Sequence, residues 1–147
     1  MRFELIKGTA SLEGTCYFEF CKGSNRKEAC WNKDALYLED GVFEFLYKSF
    51  SRASKEYDYY DFCKFERNEL EKLGGALIEF EYALNSFQSR EDYEAFFGKL
   101  AICIDLDEEH DPMWKGRVNS LKQIAKQLRE IVDDCLESGE PLWVLGM

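Results

Sequence analysis

Trp114, Val118, Leu121, Ala125, Leu128, Val132 and Cys135 recur at alternating steps of four and three. That spacing places side chains on one side of an α-helix. Ile124 and Ile131 widen the stripe, which favours packing inside a globular bundle over a narrow coiled-coil seam. Gly139 stands where a helix-ending glycine belongs, and Pro141 prevents continuation. The spacing therefore predicts a long helix buried along one face, and the rest of the chain must supply the surface that buries it.

Leu70, Leu73, Leu77, Phe80, Leu84 and Phe87 repeat in the same manner and predict a second helix over residues 66–88. Gly74 and Gly75 interrupt it, at a cost of about 1 kcal/mol each relative to alanine, and allow a neighbouring helix to approach closely or a kink to form. Ser89 reads as the cap of a third helix carrying Tyr93, Phe96, Phe97 and Leu100, with Asp92 at the capping-box position and continuation at least to Lys99. The stretch "ALYLEDGVFEFLYKSFSRAS" has two readings. Val42, Phe43, Leu46, Tyr47 and Phe50 share a helical face with Asp40 as N-cap, whereas Asp40-Gly41 would suit a hairpin turn. The helical reading over residues 40–53 is preferred.

Strand signals come from the chain ends. "RFELIK" and "TCYFEFCK" alternate, and Gly8 and Gly14 bracket their connection, so a hairpin is expected. "PLWVLGM" reads as a short apolar strand pairing with that hairpin, and "EYDYYDFCKF" as a short strand or the approach to the next helix. The expectation is an α+β fold: a small antiparallel sheet from the N-terminal hairpin and C-terminal strand, packed against three to four helices in one domain, 1–147.

Charge narrows the function classes. The formal net charge is −10, and it is uneven: residues 1–55 hold 9 Lys and Arg against 8 acids, residues 56–147 hold 10 against 21. Such a chain is repelled by phosphate backbones and anionic membranes and attracted to basic partners. No apolar run reaches membrane-spanning length, and the start lacks a secretory pattern, so a cytoplasmic protein with reduced thiols is expected. None of the six cysteines forms a Cys-x-x-Cys pair, which reads as free, buried thiols.

The densest acidic run is "DLDEEHDPMW", with the chain's only histidine. Asp111-Pro112 is a favoured way to begin a helix, and the acids before it sit at the positive end of the helix dipole. A calcium loop starting at Asp105 would put His110 at its glycine position and Gly116 at its glutamate position. Asp105, Asp107 and His110 remain as a transition-metal set, and a metal-dependent enzyme using them is one alternative. No nucleophile carries a local signature and no phosphate-binding glycine loop occurs, so no enzyme activity and no cofactor are expected.

Three features point to a protein partner. Tyrosines alternate with acids in "EYDYYDF", a composition favoured at interfaces. "DLDEEHD" is a compact anionic patch. Asp133, Asp134 and Glu137 lie at the end of the last helix, with Glu140 just beyond, where the dipole prefers cations. The expected contact residues are Tyr57, Asp58, Tyr60, Asp61, Asp105, Asp107, Glu108, Glu109 and Asp111. The helix seam over residues 114–135 would permit a homodimer as well as a monomer.

A small, acidic, aromatic-rich chain ending in the Trp-containing segment "PLWVLGM" resembles the bacterial immunity proteins of contact-dependent and polymorphic toxin systems. The resemblance lies in the character of the whole chain and assigns no residue a role. It implies one-to-one binding and neutralisation of a cognate basic toxin, often a nuclease domain covered by acidic side chains, without direct contact to nucleic acid or membrane. The other alternative is an acidic adaptor or nucleic-acid mimic that blocks a nucleic-acid-binding protein.

Overall fold

The computed structural model describes residues 1–23, 31–59, 61–101 and 113–146. In chain order these form β1 (Ile6–Lys7), β2 (Tyr17–Lys22), β3 (Leu36–Glu39), α1 (Asp40–Phe43), α2 (Tyr47–Ala53), β4 (Phe62–Phe65), α3 (Arg67–Ser86), α4 (Arg90–Phe97), α5 (Met113–Ser138) and β5 (Leu142–Gly146). The fold is α+β, with one antiparallel five-stranded sheet in the order β1-β3-β2-β5-β4. No helix among the described residues is long and apolar enough to cross a membrane.

The expected N-terminal hairpin does not form. β1 pairs with β3 (Ile6 opposite Tyr37), and β3 lies between β1 and β2. The physical reason is Glu19, fully buried on β2. Its carboxylate accepts the Trp31 backbone N–H at 2.7 Å and an Asn32 Nδ2 hydrogen at 3.0 Å. A buried carboxylate must be hydrogen-bonded, and meeting that need draws the returning chain back to β2. Leu36 and Leu38 then face Phe20 and Phe18 across the ladder. The C-terminal strand does pair with β2, as expected, and also with β4 (Phe65 opposite Leu142).

The helical reading of residues 40–53 holds from Asp40 onward, in two pieces joined by tight turns such as Leu46 N–H to Phe43 O at 2.8 Å. Asp40 is not the cap but the first helical residue, and its carboxylate accepts the Gly41 N–H at 2.7 Å. At α4 the Ser89 hydroxyl accepts from Asp92 N–H at 3.2 Å, as the capping pattern predicts, and α4 ends at Phe97 before Gly98 turns with φ +60°. Gly139 ends α5 in the left-handed region at φ +72°, and Glu140 N–H reaches back to Cys135 O at 3.1 Å.

The seven spaced α5 positions from Trp114 to Cys135 are all buried, with Ile131 half-buried at the edge of the stripe. It lies along α3 and joins Phe18, Phe20, Leu142 and Val144 of the inner sheet face in one core. The seam suggested for a homodimer is thus occupied within the chain itself. A methyl group added at Gly74 would lie 3.6 Å from Val132 Cγ1, ordinary van der Waals contact, so α5 packs against this strip of α3 without a close approach that only glycine allows. Phe43 stands at the aromatic centre, stacked on Phe18 at 3.8 Å and tilted against Phe50 at 5.0 Å.

Candidate protein-binding surface

Of the expected contact residues, Tyr60, Asp105, Asp107, Glu108, Glu109 and Asp111 lie outside the described residues, as does His110. Tyr57, Asp58 and Asp61 can be placed. The segment they occupy is a chain of turns before β4, with Tyr57 N–H bonding Ser54 O and Asp61 N–H bonding Asp58 O. Turns let the tyrosines and the acids face opposite ways.

Tyr57 is therefore not a surface anchor. Its ring packs against Phe43, Tyr47, Phe50 and Phe65, with centroids 5.9–6.4 Å away. Tyr59 turns inward too, edge-on to Phe18 at 4.8 Å, with its hydroxyl donating to Glu44 Oε1 at 2.8 Å. The turn also passes over the end of β5, where any side chain at Gly146 would strike the Tyr59 carbonyl. Asp58 and Asp61 are exposed, and Asp61 Oδ1 accepts the Phe62 N–H at 2.7 Å.

Burial pushes the Tyr57 hydroxyl far above the usual tyrosine range, and nearby Cys63, whose own thiol is raised by burial, adds to the shift. The hydroxyl has no hydrogen-bond partner among the described residues. Tyr57→Phe is thus expected to raise stability by about 1 kcal/mol, since it removes an unsatisfied buried polar group. A raised folded-state value means the unfolded chain loses the proton first. Because the buried hydroxyl resists ionising, this group leaves stability independent of pH below about pH 10 and lowers it as pH rises beyond. Urea unfolding of both proteins at pH 8 and pH 11 checks this, and Tyr57→Phe should lose less stability between the two.

The acids at the end of α5 form a different surface. Register places Asp58 and Asp61 at the β4 end beside Leu145, while the end of α5 leads into β5 beside Phe65, so the two groups stand at opposite ends of β4. Along α5 every cation precedes every acid: Lys115, Arg117, Lys122, Lys126 and Arg129, then Glu130, Asp133, Asp134 and Glu137. The first turn has no acid and the last no base, the reverse of what the helix dipole favours. Glu130, Asp133, Asp134 and Glu137 are all exposed. Among them, Glu130–Asp134 and Asp133–Glu137 are like-charge pairs at i,i+4, which cost a few tenths of a kcal/mol each.

The neighbouring helix α3 exposes apolar side chains of its own. Tyr82 is 79% exposed, the most exposed large apolar residue described, and Ile78, one turn earlier, is 52% exposed. Gly74, Ile78 and Glu81 follow one strip of α3 by the i,i+3/i+4 rule. A methyl group on Gly74 would lie 3.6 Å from Val132, and Glu81 Oε2 is 3.0 Å from Arg129 Nε, so α3 and α5 run antiparallel and Ile78 borders α5 near Arg129. Ile78 thus stands near the start of the acidic row at Glu130, whereas Tyr82, one turn further along α3, lies toward Lys126, and Asp133, Asp134 and Glu137 lie toward the start of α3. Ile78 and Tyr82 lie off the Leu70–Phe87 stripe, and that departure from the core spacing was the sequence signal for them.

Among the described residues no three His, Cys, Asp or Glu side chains are grouped so as to hold a metal ion. The four described cysteines, Cys16, Cys21, Cys63 and Cys135, are free thiols. Burial raises the Cys135 thiol to about 11, which keeps it protonated and unreactive near neutrality. Comparison with protein-family models, with curated proteins and with solved structures returns no match.

Proposed function

We propose that this protein binds a cationic protein through the exposed face of α3 and α5 and neutralises it, as an immunity protein neutralises its cognate toxin. The observation that carries this reading is the exposed row Glu130, Asp133, Asp134 and Glu137, set against the dipole of its own helix, with exposed Ile78 and Tyr82 on the neighbouring helix α3. Local energetics favour lysine at the end of that helix, so the acids there serve something outside the fold. Interfaces commonly combine an aromatic or aliphatic anchor with a polar rim, and opposite charge speeds encounter. Asp58 and Asp61 add negative charge at the far end of β4 and steer without docking.

Affinity capture from the native cell tests this, with the protein tagged and the extract washed at rising salt. The expected result is one basic protein, held in equal amount and released as salt screens the contact. Expression of that protein alone should arrest growth, and co-expression should restore it. A captured partner that is acidic, or whose retention ignores salt, would refute the reading. Release by competing DNA or RNA would instead favour a nucleic-acid mimic.

A further inference from the structure

We propose that the groove between α2, α3 and α4 binds a small amphipathic carboxylate, of the class of a medium-chain fatty acid. The groove is a cavity of about 430 Å³, within the size range of small-molecule sites. Phe45, Phe80, Phe96, Phe97 and Leu100 line its apolar part. The rings interlock edge to face, with Phe45–Phe97 at 4.8 Å and Phe96–Phe97 at 4.9 Å, yet Phe96 stays exposed. A lining of this kind takes an alkyl or aryl body rather than a sugar or a phosphate.

Two polar groups at one side define the head that fits. Ser49 lines the groove while its residue is only 6% exposed, and its hydroxyl makes no hydrogen bond with a described residue. The residue before it, Lys48, is exposed at the rim. The other charged groups at that rim are engaged: Arg52 Nη2 donates to Glu79 Oε2 at 3.0 Å, and Glu44 accepts from Tyr59. Lys48 has no acidic partner among the described residues. A carboxylate head would accept from both the ammonium and the Ser49 hydroxyl, while its chain covers the phenylalanines. The long side chain of Lys48 reaches the rim and stays hydrated there, so the head need not be buried.

The groove lies on the α2–α4 side of α3, away from the α5 acids, so its test is independent of any protein partner. The probe is decanoate, titrated into the folded full chain below its micelle concentration and followed by calorimetry and by shifts of the Phe96, Phe97 and Ser49 resonances. Decanoate is expected to saturate one site, with those resonances moving. Lys48→Glu, an exposed substitution that leaves the core intact, should weaken it about tenfold, the loss of one charge-assisted hydrogen bond. Decanol, which lacks the charge, should bind the wild type with that same weakened affinity and be indifferent to Lys48→Glu. Absence of saturable binding, or equal binding of decanoate by wild type and Lys48→Glu, would overturn the proposal.

Discussion

Phe43→Ala is expected to cost about 3–5 kcal/mol of folding stability, the range for deleting a buried aromatic side chain. Phe43 is fully buried and is the side chain on which the sheet, the short helices and the turn before β4 converge. It stacks on Phe18 of β2, approaches Phe20 at 6.2 Å and Phe50 of α2 at 5.0 Å, and meets Tyr59 at 6.0 Å. Removing the ring leaves a void bounded by rings from three different elements, none of which can collapse into it without leaving its own contacts. A domain of this size is stable by about 5–15 kcal/mol in total, so the variant should lose a large share of its stability. Urea denaturation measures the loss. The control is Phe62→Ala on edge strand β4, where the half-exposed ring should be worth within about 0.5 kcal/mol.

The second large effect runs in opposite directions for folding and for binding. The double variant Asp134→Lys, Glu137→Lys should raise stability by about 1 kcal/mol and weaken binding of the cationic partner about a hundredfold. Both positions are exposed near the end of α5. Lysine there suits the helix dipole. It also turns both like-charge pairs into attractive ones, position 134 with Glu130 and position 137 with Asp133, each with the acid on the favoured N-terminal side. Two attractive contacts with the partner become repulsive at the same time. Tyr82→Ala separates the apolar from the charged contribution. It should cost the fold almost nothing at 79% exposure, yet lower affinity by about 2 kcal/mol without changing the dependence on salt. Thermal unfolding and calorimetric titration on the same preparations check both halves. A stability that falls on lysine substitution would mean that the acids have a structural partner within the chain and need none outside it.

What could be read in the chain beforehand follows from where the information lies. α3 and α5 were legible because each repeats one spacing over several turns, and no strand can mimic that period. Gly139 and Ser89 mark helix ends through local geometry alone, so they too were legible. β3 was not. Leu36, Tyr37 and Leu38 are buried or nearly so on both faces of the sheet, and a short continuous apolar run has no period to separate strand from helix. The pairing of β1 with β3 was equally hidden, because it depends on Glu19 holding Trp31 and Asn32, contacts between residues 12 and 13 positions apart. Acidic residues in a sequence read as solvated, and nothing nearby marked this one as buried.

The candidate surface divides in the same way. That the end of α5 breaks the dipole rule is visible in the order of its charges, and the structure leaves those acids exposed. The turn "EYDYYDF" misled because tyrosine composition suits an interface and a core equally. Only the turns at Ser54–Tyr57 and Asp58–Asp61 determine that Tyr57 and Tyr59 face inward. Ile78 and Tyr82 needed the helix to be placed before their exposure on it could be seen.

Carboxyl footprinting of the captured complex tests the central claim most directly, because it labels each exposed Asp and Glu and reads every one by mass. Glu130, Asp133, Asp134 and Glu137 are predicted to be shielded by the partner, while Glu44, Glu71 and Glu79 label as they do in the free protein. Unchanged labelling of the four α5 acids in a saturated complex would contradict a docking role for that face.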